Sequence, residues 1–235
     1  MEPYYARAGV TLYHGSALDH TDTWTHATAL ITDPPYGISY KPVRVGERSP
    51  APVIANDKTT AVRDEALAAW HDTNALSKPV AVFGSWKAPR PPQTKYRLIW
   101  HKAGNLIKHL PLTFRPIDEE IYIWGAGWVR STRAPGSVIT TTENRTGETR
   151  RLGHPTPKPL DLLQEIMDRL EPMQGGHVIA DPFAGSGATL VAAALAGHGA
   201  VGVELEEQYC ERIARRIDYV LDHGVDAPRS VIVPD

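Results

Sequence analysis

The chain has 235 residues, 42% of them hydrophobic, and a formal net charge of −2 at neutral pH. That size suits one α/β domain with a sizeable core, and no apolar run approaches the length of a membrane span. The single cysteine, Cys210, excludes an internal disulfide and any cysteine-cluster metal site.

In chain order, residues 10–13 read as a short strand running into the turn His14-Gly15-Ser16. The apolar run 27–32 reads as a buried strand that stops at Asp33-Pro34-Pro35-Tyr36-Gly37. Each proline fixes its own φ and biases the residue before it away from helix. The tip is therefore stiff and extended, and it presents a carboxylate, a backbone carbonyl and an aromatic face. Residues 38–59 are rich in Pro, Ser, Gly and Arg without apolar periodicity, and so long a loop reads as a mobile flap over a substrate. A helix is predicted over 59–74, with Val62, Leu67, Ala68 and Trp70 near one face.

Strands are predicted over 78–83, 96–102 and 119–124, and Trp100 and Trp124 on them read as core. Residues 125–153, rich in Thr, Ser, Gly and Arg, read as an irregular or hairpin insertion. The next predicted helix, 157–170, opens on Pro157 and sets Leu160, Leu163, Ile166, Met167 and Leu170 on one face. A last βαβ unit comes next: a strand over 178–180, a helix over 188–196 and a strand over 200–203. A helix over 208–221 closes the chain, with Ile213, Ile217, Val220 and Leu221 apolar. This alternation predicts an α/β fold, with a mostly parallel sheet and helices on both faces.

The net charge points to no partner, but its distribution does. Residues 84–117 carry seven Lys or Arg and no Asp or Glu. Between 130 and 151 stand Arg130, Arg133, Arg145, Arg150 and Arg151 against Glu143 and Glu148. The acids collect after Glu204. One basic face and one acidic face suit a protein that lies on a polyanion.

Gly185 and Gly187 sit where the strand 178–180 must turn sharply into a helix, close to any ligand at that turn. The helix start offers N–H groups and partial positive charge to a carboxylate. Glu204 ends the next strand, where Rossmann-like folds place an acid that accepts hydrogen bonds from ribose hydroxyls. A nucleoside ligand is expected. The spacing lacks a full dinucleotide fingerprint and a Walker loop.

Asp33-Pro34-Pro35-Tyr36 and Asp181-Pro182-Phe183-Ala184-Gly185-Ser186-Gly187 together resemble the amino-group DNA methyltransferases, which act on adenine N6 or cytosine N4. His154-Pro155-Thr156-Pro157-Lys158-Pro159 is similar to the family's H-P-T-x-K-P element, and Gly202-Val203-Glu204-Leu205 to its G-x-E element. The resemblance implies a Rossmann-like class I methyltransferase fold in one domain over 1–235, in circularly permuted order with the base-binding element first. It implies S-adenosylmethionine as cofactor and DNA as partner. The single cysteine, the spacing of the histidines and the lack of a long apolar run lead us to expect no metal, no membrane and a cytoplasmic protein; a homodimer is left open.

Asp33, Pro34, Pro35 and Tyr36 would be catalytic. Asp181 through Gly187, Glu204 and Leu205 would hold the donor, with Thr156 and Lys158 at its methionine end. Where family members carry Gly-Asp, this chain has Gly15-Ser16, so Ser16 or a backbone group would stand in against the donor adenine. The insertion 125–153 would recognise the target. Its five arginines are the DNA candidates, and Trp128 is within reach of DNA as well. An Asp at the head of the tetrapeptide leans to adenine N6, with cytosine N4 as runner-up and a non-catalytic DNA-binding subunit as the third reading.

Overall fold

The computed structural model describes residues 2–39, 55–103, 113–114, 116–141 and 157–224. Its strands are β1 (Tyr5–Arg7), β2 (Val10–His14), β3 (Ala29–Thr32), β4 (Val80–Gly84), β5 (Tyr96–Lys102), β6 (Asp118–Trp124), β7 (Val138–Thr141), β8 (Val178–Asp181) and β9 (Gly199–Glu204). Its helices are α1 (Thr21–Trp24), α2 (Ala61–Asn74), α3 (Leu160–Met167), α4 (Ala188–Leu195) and α5 (Glu207–His223).

The strands form one sheet in the order β1-β2-β9-β8-β3-β4-β6-β5-β7. The five neighbours β2, β9, β8, β3 and β4 run parallel. Strand β6 runs antiparallel to both β4 and β5. Every residue of β3 and β4 is buried, as expected for parallel strands covered on both faces. One face packs Ile31, Phe83 and Ile179 against Leu163 of α3, Leu190 of α4 and Ile213 of α5. The other packs Leu30, Val82 and Val203 against Trp24 and Trp70, whose rings lie 6.4 Å apart and 3° from parallel. Trp100 and Trp124 are buried in the core, as their strand positions predict.

Three elements escape the periodicity argument: β1, the single-turn α1, and β7. β7 replaces a hairpin with a parallel pairing to β5, from Ile99↔Val138 to Lys102↔Thr141. The β-branched run Val138-Ile139-Thr140-Thr141 covers an otherwise open edge, and Trp100 Nε1 donates to Thr141 Oγ1 at 2.8 Å. Trp128 turns inward as well: its Nε1 donates to the Trp124 carbonyl at 2.9 Å and its ring packs on the core. Helix α3 begins three residues later than Pro157, because Pro159 holds Lys158 out of the helical region and itself stands extended at ψ 141°. The expected flap at 38–59 and insertion at 125–153 lie partly outside the described residues, at 40–54 and 142–153. Among the described residues no helix is long and apolar enough to cross a membrane.

Candidate active site

Parallel strands put their carboxyl ends on one edge, and open α/β sheets bind ligands outside that edge. Asp33 follows β3, Pro182 follows β8, Leu205 follows β9 and Gly15 follows β2, so the two motifs that lie far apart in the chain meet there. A buried bond joins them: Thr32 Oγ1 donates to Asp181 Oδ1 at 2.7 Å.

At the β3 tip, Tyr36 donates its hydroxyl to Asp33 Oδ1 at 2.5 Å. Lys158 Nζ forms an ion pair with Asp33 Oδ2 and lies 3.4 Å from the Tyr36 hydroxyl. The same ammonium is 3.5 Å from Glu119 Oε2 and 4.9 Å from the centre of the Phe83 ring. Glu119 in turn pairs with Lys102 at 2.5 Å. Lys102, Glu119, Lys158 and Asp33 thus form a chain of alternating charge, with both lysines nearly sealed from water. Lys158, which the resemblance sets at the donor's methionine end, stands here on the Asp33 carboxylate at the β3 tip. The base of the loop after Tyr36 is tied by Asp57, whose Oδ1 accepts the Gly37 and Ile38 N–H groups at 2.8 and 3.3 Å.

The other half of this edge is built around the turn after β8. Gly187 adopts φ +73°, and a Cβ there would lie 2.8 Å from Ile213 Cγ1. Side chains therefore meet both backbone strain and overpacking. Gly187→Val is expected to lower unfolding stability by about 1–3 kcal/mol and to weaken nucleoside binding, read by denaturant titration and calorimetry. The turn is fastened from two sides. Glu204 Oε2 accepts the Gly185 N–H at 2.7 Å, and Arg216, buried on α5, donates to the Ser186 carbonyl. Ala184 N–H also bonds the Val203 carbonyl at 2.9 Å.

Burial raises the Asp181 carboxyl to about 6, against hydrogen bonds from Thr32, Thr189 and the Phe183 N–H that favour its ionised form. Burial likewise raises Glu204 to about 7, opposed by the Glu206 and Gly185 N–H groups and reinforced by the charges of Asp181 and Glu206.

Ser16 comes to the same edge, two residues beyond His14, which pairs with Glu204. Its Oγ accepts the Leu18 N–H at 3.3 Å. Leu205 is partly exposed beside it, and its carbonyl is 3.2 Å from His14 Nε2. Arg130 and Arg133 are exposed. The segment bearing them leaves β6 at Trp124, opposite Val80 at the start of β4, and so at the end of the sheet away from Asp33. It regains the Asp33 edge at Ser137, whose carbonyl accepts the Ile99 N–H at 2.8 Å. Thr156, Arg145, Arg150 and Arg151 lie outside the described residues. Sequence reasoning missed Glu119, Lys102, Asp57 and Arg216. Only Arg216 left a signal, as a lone cation on the apolar stripe Ile213-Ile217-Val220.

Residues 85–216 match the family model for DNA methylases of the N6/N4 type, which is more than half of the chain. The chain belongs to that family of amino-group DNA methyltransferases. The type II methyltransferase M.ScaI of Streptomyces caespitosus is 23% identical over an alignment 274 positions long, covering 92% of this chain and 84% of that protein. The M1.HpyAVI–SAM complex superposes with a TM-score of 0.64 at 17% identity, over 88% of this chain and 97% of its own. PvuII DNA methyltransferase, cytosine-N4-specific, superposes at 0.61 with 12% identity, over 97% and 96%. The fold is the Rossmann-like class I methyltransferase fold.

Proposed function

We propose that this protein transfers a methyl group from S-adenosylmethionine to the N6 amino group of adenine in DNA, at a base turned out of the duplex. The observation that carries methyl transfer is the Thr32–Asp181 hydrogen bond, which locks the Asp33-Pro34-Pro35-Tyr36 tip beside the glycine turn; the choice of adenine rests on the Asp that heads that tetrapeptide. The unpermuted and permuted members of a family differ in chain order; here the base-binding tip precedes the glycine turn, in keeping with permuted order. One nine-stranded sheet supports a single methyltransferase domain, and 125–153 is the segment we assign to target recognition.

S-adenosylmethionine is the donor of this family, and the residues fit it. A Cβ would fill the cradle at Gly187, and the first turn of α4 presents N–H groups suited to a carboxylate. Glu204 spends one lone pair of each oxygen on backbone N–H groups and keeps acceptor capacity for ribose hydroxyls. When bound, the donor supplies an electrophilic methyl group on a sulfonium leaving group.

The chain's own residues then have a positioning task. An exocyclic amino group is a poor nucleophile because its lone pair is delocalised into the ring. Hydrogen bonds from that N–H₂ to the Asp33 carboxylate and the Pro34 carbonyl would hold the nitrogen pyramidal, with its lone pair aimed at the methyl group. Tyr36, half-buried against the core, would offer its ring to the extruded base. No covalent nucleophile is required. Cys210 is buried in α5, and burial pushes its thiol up to about 12.

Glu204 gives the donor site a pH dependence. Its folded value of about 7 exceeds the ordinary carboxylate value, so the folded protein holds this proton more tightly than the unfolded chain. The unliganded protein should therefore lose stability as pH rises from about 5 to about 7. Ribose hydroxyls favour the ionised form. Donor affinity should fall, by up to tenfold per unit, as pH drops below about 7. Calorimetry across that range tests this, and Glu204→Gln should flatten the profile.

The function itself is tested by nucleoside mass spectrometry of unmethylated DNA incubated with protein and donor. N6-methyladenine is the expected product. N4-methylcytosine would move the assignment to the other base of the family, and no methylated base with donor binding intact would favour a non-catalytic subunit.

A further inference from the structure

We infer that Trp86 is a DNA-contacting side chain, its indole stacking on a base beside the flipped target while Lys87 meets a backbone phosphate. The inference rests on the reading that this edge of the sheet takes DNA. Of the six tryptophans, Trp24, Trp70, Trp100 and Trp124 are at most 3% exposed and Trp128 packs on the core; Trp86 is 75% exposed.

Its place is specific. Register pairs Thr32 with Val82 on the parallel strands β3 and β4. Tyr36 and Trp86 each stand four residues beyond that pair, leaving the same end of the sheet by adjacent strands.

The turn that holds Trp86 outward is built rather than loose. A Cβ on Gly84 would lie 2.3 Å from the Tyr122 ring, so the exit from β4 takes a glycine. The Ala88 N–H bonds the Ser85 carbonyl at 3.0 Å, and the Lys87 N–H bonds Ser85 Oγ at 3.3 Å. Beyond it, the buried Arg63 guanidinium donates to the Pro89 carbonyl at 2.9 Å. Two further prolines, Pro91 and Pro92, stiffen the link to β5. A rigid, solvent-facing aromatic loses little entropy on stacking.

The charge of its own segment suits a polyanion, and the Glu120 that stands opposite Gly84 is paired with Arg97. Lys87 Nζ sits 5.6 Å from the indole, and residues 84–117 contain no acid. An aromatic face with an adjoining cation is the sequence-tolerant way to hold a base and its phosphate.

The test uses short fluorescein-labelled duplexes cut from unmethylated genomic DNA, with binding read by anisotropy. Trp86→Ala should weaken binding about 5- to 100-fold, whereas Trp86→Phe should stay within about threefold of wild type. Affinity for S-adenosylmethionine should be the same in all three, which reports that the variants fold. Lys87→Ala should reduce the slope of log affinity against log salt by about one. DNA should also quench tryptophan emission in wild type and not in Trp86→Phe, a readout that needs no alanine variant.

Wild-type affinity in Trp86→Ala, or equal losses in the Ala and Phe variants, would overturn the contact. A wild-type protein that binds DNA through Trp86 yet yields no methylated base would overturn the methyl-transfer reading and leave the contact standing.

Discussion

An Asp33→Ala protein is expected to transfer methyl groups about 10²–10³-fold more slowly than wild type while still binding S-adenosylmethionine. The carboxylate has about four acceptor sites. Tyr36 occupies one on Oδ1 and Lys158 one on Oδ2, so each oxygen retains a lone pair for an incoming amino proton. The side chain is 21% exposed, open enough for a base edge to reach and shielded enough for the charge to matter. Its worth lies in being fixed before the base arrives, with no reorganisation left to make. Asp33→Asn keeps an acceptor oxygen and loses the charge, so its rate should fall between those of wild type and Asp33→Ala. Single-turnover transfer of a radiolabelled methyl group separates this from slow product release. A rate within about threefold of wild type in Asp33→Ala would remove Asp33 from the mechanism.

The parts of this edge that sequence made legible are the ones fixed by backbone chemistry. Two prolines after a buried strand, and two glycines between a strand and a helix, constrain φ and ψ locally, so the Asp33 tip and the Gly187 turn could be placed without a fold. The parallel core was legible for a similar reason. Strands buried on both faces read as largely apolar runs, as β3 and β4 do. What failed to show was set by tertiary partners. Val138-Ile139-Thr140-Thr141 is β-branched throughout, but so short a run inside a Thr-, Ser-, Gly- and Arg-rich insertion becomes a strand because β5 offers an edge. Lys102 and Glu119 are ordinary strand-end charges until β5, β6 and the Lys158 segment bring them within ion-pair distance. Lys158 shows the limit of a motif. The H-P-T-x-K-P resemblance marks the residue, while the folded chain decides which partner its ammonium faces.

That partner makes Lys158→Met the more damaging change for stability. The ammonium is 6% exposed and stands between the carboxylates of Asp33 and Glu119. Methionine fills similar volume but leaves the Asp33 carboxylate without this cation and Glu119 with Lys102 still beside it. Removing one member of a buried ion pair typically costs about 3–5 kcal/mol, and the partial exposure of Asp33 points to the lower end. The surface pair of Arg7 with Asp218 offers the contrast. Both side chains are more than 40% exposed, so Arg7→Ala should change stability far less than Lys158→Met does. Lys158→Arg is a poor rescue, because the planar guanidinium cannot take the place of a compact ammonium set 4.9 Å over Phe83 and 5.8 Å from the Tyr36 ring centre. Methyl transfer should fall with stability, since Asp33 and Tyr36 lose the cation that orients both. Donor affinity then separates the two roles open to this lysine. If Lys158 acts through Asp33, the folded fraction of Lys158→Met binds S-adenosylmethionine as wild type does. If it holds the methionine end, that affinity drops tenfold or more while Asp33→Ala leaves it unchanged.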